Sequence, residues 1–241
     1  MSNTKIKKHI ILPGLTTTPE SDWRGKVKEI DELGLKEIAL FPTFLKISDR
    51  KELYALLEKT KLQRIPHVHL RDDMEEWEVD LLYEKYNTRL FNMHYNQQSI
   101  DFMLKSKYQG IIFLENLSEL TDMYVDNVPK CGGMCVDVSH WNGAVFLGTK
   151  SYAIMEDMLE KYKVGCCHIS AESKEPYMYV NPKNGKETLV KDDHWLDDMA
   201  QLDYVKNYVQ FLPEYVSIEL ENTFAEQLKV KEYLDKIING E

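Results

Sequence analysis

The hydrophobic and polar positions of this 241-residue chain follow two patterns that alternate along its length. Short apolar runs of strand length are each followed by a longer segment whose apolar residues recur with helical spacing. This order of elements predicts a series of strand–helix units. Eight strands are expected, at residues 9–13, 37–41, 64–70, 89–94, 110–115, 133–138, 165–169 and 215–220.

The helical segments between these strands complete the units. They are expected at residues 20–33, 48–59, 74–86, 97–107, a short segment from 118, 151–162, 195–211 and 224–238. Eight consecutive units in a chain of this length predict an α/β fold, a single (β/α)8 TIM barrel forming one domain over residues 1–241. Residues 170–193 form the longest irregular stretch, and a loop of that length predicts a lid over the barrel mouth.

Composition and charge narrow the classes of function. The formal net charge of −10 argues against a broad phosphate-binding surface, so duplex DNA is disfavoured as a partner. No apolar run approaches the ~20 residues that span a bilayer, and the amino-terminal residues lack the features of a signal peptide. The expected location is therefore cytoplasmic, without a membrane partner. The cysteines, expected to be reduced and buried, are Cys131, Cys135, Cys166 and Cys167.

The strand at 133–138 ends in a way that points to a functional site. Its alternation places Cys135 and Asp137 on one face, and His140 follows Asp137 by three residues. Two side chains that can bind a metal thus lie at the exit of one strand. The alternative is that Asp137 caps the next segment while His140 is a solvated loop residue.

Other strand exits carry the same residue types. Active sites of (β/α)8 barrels lie at the carboxyl-terminal ends of the strands, and six of the seven histidines fall at or just after a predicted strand end. Buried imidazoles and carboxylates need compensation, and this mixture of nitrogen and oxygen donors suits Zn²⁺, Mn²⁺ or Fe²⁺. A purely structural polar network is the alternative. The candidate ligands are His67, His69, His94, Glu115, Asp137, His140, His168, Asp192, His194 and Glu219, with Glu221 as an alternative to Glu219.

Several of these motifs resemble the xylose isomerase-like TIM barrel superfamily, specifically the branch that contains endonuclease IV (AP endonuclease family 2). The resemblance covers essentially the whole chain. It is carried by Asn92-Met-His94, Leu114-Glu-Asn116, Val136-Asp-Val-Ser-His140, the Pro66–His67 pair, the Asp192-x-His194 triplet and a glutamate on the eighth strand. In that family such residues bind three zinc ions.

Carried over to this chain, the resemblance implies three ligand sets. The first would be His67 or His69 with His94 and Glu115. Glu115 would also belong to a second set with Asp137, His168 and Glu219. The third set would be His140, Asp192 and His194.

Two chemistries fit these residues. A multinuclear, zinc-dependent hydrolase would cleave a phosphoester, with Glu115 as the bridging ligand. A sugar or sugar-phosphate isomerase or epimerase needs only one Mn²⁺ or Mg²⁺, with Glu115 and Glu219 moving a proton across an enediol and His140 binding substrate. The additional ligands favour the hydrolase, acting on a small phosphorylated or sugar substrate in preference to duplex DNA.

A noncatalytic metal-binding barrel is the third possibility. It requires a blocked mouth, and four aromatic residues near the strand exits, Trp141, Tyr177, Tyr179 and Trp195, are expected either to stack on a ligand or to plug the cavity.

Overall fold

The computed structural model describes residues 8–19, 21–180, 185 and 187–240. Its strands are β1 (Ile10–Leu12), β2 (Gly14–Thr16), β3 (Ala39–Phe41), β4 (His67–His69), β5 (Leu90–Met93), β6 (Ile112–Glu115), β7 (Met134–Asp137), β8 (Val164–Ile169), β9 (Ala171–Val180), β10 (Glu187–Asp193) and β11 (Tyr215–Ile218). Its α-helices are α1 (Trp23–Glu32), α2 (Ile47–Leu57), α3 (Glu76–Lys85), α4 (Gln97–Lys105), α5 (Asp122–Asn127), α6 (Val138–Phe146), α7 (Ser151–Lys161) and α8 (Phe224–Ile238).

Nine of the strands form one parallel sheet that returns to its starting point. The order of neighbours is β1, β11, β8, β7, β6, β5, β4, β3, β2. Because β1 and β2 are consecutive in the chain and separated only by Pro13, they act as two halves of one strand. The sheet therefore has the eight strand positions of a closed barrel, and the predicted (β/α)8 fold is confirmed.

Pro13 divides the first strand because proline has no N–H to give to a sheet ladder. Beyond it the chain runs very close to β11: a Cβ on Gly14 would lie 2.0 Å from the Ile218 carbonyl oxygen, so only glycine fits. The buried Gln227 of α8 bridges this seam. Its side chain accepts from the Gly14 N–H at 2.7 Å and donates to the carbonyls of Gly14, Leu220 and Asn222 at 2.9–3.0 Å.

Replacing Gln227 with Leu is expected to lower the free energy of unfolding by about 3 kcal/mol or more, because each buried polar group left without a partner costs roughly 1–3 kcal/mol. Urea denaturation of both proteins measures this difference. Gln210→Leu, on an exposed part of the chain, serves as the control. A Gln227→Leu protein as stable as its parent would show that the bridge does not hold the seam.

The hydrophobic core lies between the outside of the barrel and the helices that cover it. Helix α1 buries Val27 and Ile30, and α8 buries Val230 and Leu234, at the spacing of three or four residues that places side chains on one helical face. Within the described residues, no helix has the length and apolar character needed to cross a bilayer. The four cysteines are free thiols, three of them buried in the strands.

The prediction of an irregular stretch at 170–193 is wrong for its described part. Strands β9 and β10 form an antiparallel hairpin in which Tyr179 faces Thr188 and Tyr177 faces Val190. Both faces of the outer hairpin are open to solvent, with Tyr177 42% and Met178 53% exposed. Without a buried face there is no alternation of apolar and polar residues to reveal a strand. Residues 181–184 and 186 lie outside the described part, and a lid role stays a prediction.

The expected helix at 195–211 is also wrong in type. This crossover consists of 3-10 turns at Met199–Asn207 and Val209–Phe211. Its buried side chains include Leu202, Val205 and Tyr208, which are three residues apart as in a 3-10 helix, and also Tyr204.

Helix α6 follows β7 without a loop, which the sequence did not predict. Because α6 begins at Val138, His140 lies in its first turn and not in a solvated turn. Trp141 is only 4% exposed, and its ring lies 4.7 Å from that of Tyr208 and 5.1 Å from that of Phe211. The expected placement of Trp141 at the mouth is therefore wrong, because α6 turns this side chain against the 3-10 segment.

Candidate metal centre

Five of the predicted ligands lie at the ends of parallel strands or directly after them, so the barrel brings them together at its mouth. Asp137 of β7 is in register with His168 of β8, and Glu115 ends β6 beside them. His69 ends β4, and Glu219 follows β11. All five side chains are at most about 5% exposed. The carboxyl-terminal ends of the strands thus hold a buried cluster of carboxylates and imidazoles.

Glu115 lies at the centre of this cluster. Its Oε2 atom is 3.0 Å from His69 Nε2 and 3.1 Å from His168 Nε2, and its Oε1 atom is 3.1 Å from His94 Nε2. His140 Nδ1 approaches Oε1 from the other side at 4.0 Å. One carboxylate therefore faces imidazoles from four different parts of the barrel, and a bridging role for Glu115 stays a prediction.

Asp137 and Glu219 form the second part of the cluster with His168. His168 Nδ1 lies 2.8 Å from Glu219 Oε2 and 3.6 Å from Asp137 Oδ2. Asp137 has two roles, because its Oδ1 accepts from the His140 N–H at 2.8 Å and caps α6, while its Oδ2 faces the cluster. The two sequence-based interpretations of Asp137, as a helix cap and as a ligand, are therefore compatible.

Asp192 and His194 complete the cluster from the end of the hairpin. Asp192 Oδ2 lies 3.6 Å from His140 Nε2. His194 Nδ1 is 3.3 Å from the carbonyl oxygen of Glu219. The hairpin thus brings the third predicted ligand set to the same mouth as the other two.

The imidazoles are oriented as metal ligands usually are. The Nδ1 atoms of His69, His140 and His194 face the backbone carbonyls of Leu70, Asn116 and Glu219 at 2.8, 3.1 and 3.3 Å respectively. Such a bond places the proton on Nδ1 and leaves the Nε2 lone pair free for a metal.

A second observation tests whether a cation fits. His69 Nε2 and both ring nitrogens of His168 are buried and make no hydrogen bond, although carboxylate oxygens lie only 2.8–3.1 Å away. These donor atoms lie together without pointing at one another, as ligands of a shared ion do. Three ligand groups have donor atoms within 4.8 Å of one another: His69, His94 and Glu115; Glu115, Asp137 and His140; and Asp137, His168 and Glu219.

Two further candidates lie outside this cluster. His67 sits one layer deeper than His69, with Nδ1 2.8 Å from Ser217 Oγ and Nε2 2.9 Å from Asn92 Oδ1, so both its ring nitrogens are engaged. Glu221 forms an ion pair with Lys26 at 2.9 Å. Of the alternatives left open by the sequence, the structure brings His69 and Glu219 to the centre.

Neighbouring charges strongly shift the pKa values of the carboxylates in this cluster. Burial alone would raise the pKa of Glu115, but His94, His168 and His69 together hold it well below its usual range. The same competition, won by the neighbouring histidines, lowers the pKa values of Glu219 and Asp192 to about 2. These three carboxylates are therefore ionised, and they need cations or protonated imidazoles close by.

Metal binding is expected to release protons. Burial would lower the pKa of His140 and His168, but the adjacent carboxylates raise both well above the usual value. These imidazoles therefore hold protons at neutral pH that a metal must displace, so apparent affinity should increase with pH. Calorimetric titration with Zn²⁺ in two buffers of different ionisation enthalpy measures the released protons. Heats that do not depend on the buffer would contradict this expectation.

Sequence reasoning missed several polar residues that hold the ligands. Asn116 accepts from the Asp137 N–H at 2.8 Å and donates to the Asp137 carbonyl at 2.9 Å. Asn92 donates to Glu115 Oε2 at 2.5 Å, and Ser139 donates to Asp137 Oδ1 at 2.5 Å. The sequence feature that could have revealed them is an amide or hydroxyl side chain within two residues of a predicted ligand, as in Leu114-Glu-Asn116.

Comparison with known proteins finds matches among solved structures. No protein-family model and no curated protein matches the sequence. A xylose isomerase-like TIM barrel protein from Mycobacterium smegmatis in complex with magnesium has 13% identity and a TM-score of 0.49, over 95% of this chain and 96% of that chain. The AP endonuclease, family 2 from Brucella melitensis has 13% identity and a TM-score of 0.45, over 90% of this chain and 96% of that chain.

The names of these two proteins are those of the two groups that the sequence motifs resemble. At 13% identity these proteins assign no role to any residue of this chain. The role of each residue is therefore argued from the contacts within the chain.

Proposed function

We propose that the protein is a metal-dependent phosphoesterase with a multinuclear centre at the mouth of the barrel. The observation that carries this proposal is the position of Glu115, whose carboxylate lies within 3.1 Å of imidazoles from two of the proposed ligand sets, His69 and His94 of the first and His168 of the second. A carboxylate that serves one ion does not need imidazoles from two sets around it. Zn²⁺ suits the nitrogen and oxygen donors.

The three ligand sets would hold the ions as follows. His69, His94 and Glu115 would hold one ion, and Glu115, Asp137, His168 and Glu219 a second. His140, Asp192 and His194 would hold a third. When bound, such ions activate water for attack and neutralise charge on the phosphoryl oxygens.

The chain's own residues prepare this centre for substrate. The Phe41 ring lies 5.5 Å from the His168 ring and 6.4 Å from the His69 ring, so an apolar side chain packs against two of the ligands from inside the barrel. The opening is on the other side, where the side chains of His94 and His140 are 49% and 17% exposed. A phosphoester would approach through this side.

The substrate we propose is a small phosphorylated molecule and not duplex DNA. The net charge of −10 gives the chain no general attraction for a polyanion, so binding would depend on local contacts at the mouth. The half-exposed ring of Trp195, next to His194, offers an apolar surface for the rest of such a substrate.

A one-metal sugar isomerase is the second candidate. Asp137, His168 and Glu219 offer donor atoms within 4.8 Å of one another, and these three residues with Glu115 would hold its one ion. In that case Glu115 and Glu219 would move the proton between the two carbons of an enediol, and His140 would bind substrate.

Metal content and activity, measured together, separate these candidates. Protein purified without added metal would be analysed for metal per chain. It would then be assayed with phosphate mono- and diesters, and with aldose and ketose substrates in the presence of Mn²⁺ or Mg²⁺. The proposal expects two or three Zn²⁺ per chain and ester hydrolysis. One ion per chain with aldose–ketose interconversion would replace it with the isomerase.

A further inference from the structure

A continuous line of buried hydrogen bonds crosses the barrel just beneath the metal centre. Ser217 Oγ lies 2.8 Å from His67 Nδ1, His67 Nε2 lies 2.9 Å from Asn92 Oδ1, and Asn92 Nδ2 lies 2.5 Å from Glu115 Oε2. The exposed fraction of each of these four residues is 1% or less. The line connects β11, β4, β5 and β6, which are half of the strand positions of the barrel.

The direction of these bonds follows from the chemistry of the groups. An ionised carboxylate can only accept, so Asn92 must donate to Glu115 through its Nδ2. This fixes the Asn92 oxygen toward His67, which must then donate from Nε2. The partner of His67 Nδ1 is the Ser217 hydroxyl, which can donate or accept. Each link therefore determines the orientation of the next, and the line ends on Glu115.

We propose that Asn92 and His67 are positioning residues that hold the Glu115 carboxylate in its bridging orientation. Glu115 Oε2 accepts the hydrogen bond from Asn92 and also faces His69 and His168. This hydrogen bond therefore fixes the rotation of the carboxylate group about the Cγ–Cδ bond. Oε1 is thereby turned toward His94 and His140. Without the bond, one carboxylate would be free to rotate toward a single set of imidazoles.

This role rests on the proposed function, because it assigns Glu115 to two ions. It also explains why His67, which shares the inner face of β4 with His69, is a histidine although both its nitrogens are engaged. A histidine at this depth reaches both β5 and β11, whereas an apolar residue would leave the Asn92 amide oxygen without a donor. Partners that hold a metal ligand typically contribute 10- to 100-fold to metal affinity or activity.

The test compares Asn92→Leu, His67→Phe and the double variant with the parent. The probe is Zn²⁺, whose affinity is measured by competition with a chromophoric chelator on folded, metal-free protein. Asn92→Leu should weaken binding of the ions held by Glu115 by 10- to 100-fold, and His67→Phe should weaken it less. Because His67 acts through Asn92, the double variant should match Asn92→Leu alone.

The matched control is Asn127→Leu, which also removes a largely buried amide that donates to a backbone carbonyl, at the end of α5 and away from the centre. It should leave Zn²⁺ affinity unchanged. A folded Asn92→Leu protein with parental Zn²⁺ affinity would overturn the positioning role, as would fully additive losses in the double variant. A parent that binds no Zn²⁺ would instead overturn the proposed function.

Discussion

Replacing Glu115 with Gln is expected to reduce kcat/KM for phosphoester hydrolysis by at least about 10³-fold, because the charge that the centre uses at the reacting phosphoryl group is lost. The amide keeps the size of the side chain but loses its negative charge and one acceptor oxygen, so it cannot face His94 and His168 in the same way. Metal content should fall as well, since both ions that share Glu115 lose a ligand. Steady-state kinetics and metal analysis measure these effects.

Glu172→Gln is the matched control for this variant. Glu172 is also a buried carboxylate, but its partners are Lys191 and Asn142 at the base of the hairpin, outside the metal centre. The control should retain metal and activity. Near-normal turnover by a folded Glu115→Gln protein would rule out both the hydrolase and the isomerase as described, because each depends on this carboxylate.

Replacing both Asp192 and His194 with Ala is expected to remove about one metal equivalent and to lower phosphoesterase activity by about 10²-fold or more. Asp192 Oδ2 lies 3.6 Å from His140 Nε2, and these two residues with His194 would form the proposed third ligand set. The ions held by Glu115 have their remaining ligands on the strands and should stay bound. Metal analysis and ester hydrolysis by parent and double variant provide the measurement.

Asp197→Ala provides the comparison on the same segment, because Asp197 is an exposed carboxylate outside the centre. It should keep the parental metal content. If the protein is a one-metal isomerase, the parent and the double variant should each contain one ion. The double substitution should then change mainly the KM for the sugar. That result would reverse the order of the two candidate functions.

The sequence by itself determined the barrel and most of the residues of the candidate centre. The eight strand–helix units follow from local periodicity, because a strand and a helix each need their apolar residues at a fixed spacing. The parallel arrangement then requires residues at the strand ends to gather at one mouth, which is how Glu115, Asp137 and His168 were recognised. The residue types themselves, imidazoles and carboxylates, indicated a metal site.

Only the tertiary structure decided between residues that share a face. His67 and His69 point to the same side of β4 but differ in depth by ~6.6 Å, two residues along a strand. At the lower level His67 meets Ser217 and Asn92, while His69 reaches Glu115 at the mouth. Glu219 and Glu221 are separated in the same way, because Lys26 from α1 engages Glu221.

The sequence also could not predict elements that have no buried face or no regular spacing of apolar residues. The β9–β10 hairpin has no alternating pattern, because much of both faces is open to solvent. The 195–211 crossover has apolar residues at both three- and four-residue spacings, and only contact with the barrel selects the 3-10 form. Local sequence thus specified the repeating units and the donor atoms, whereas depth and long-range contacts, which depend on residues far apart in the chain, determined which donors meet.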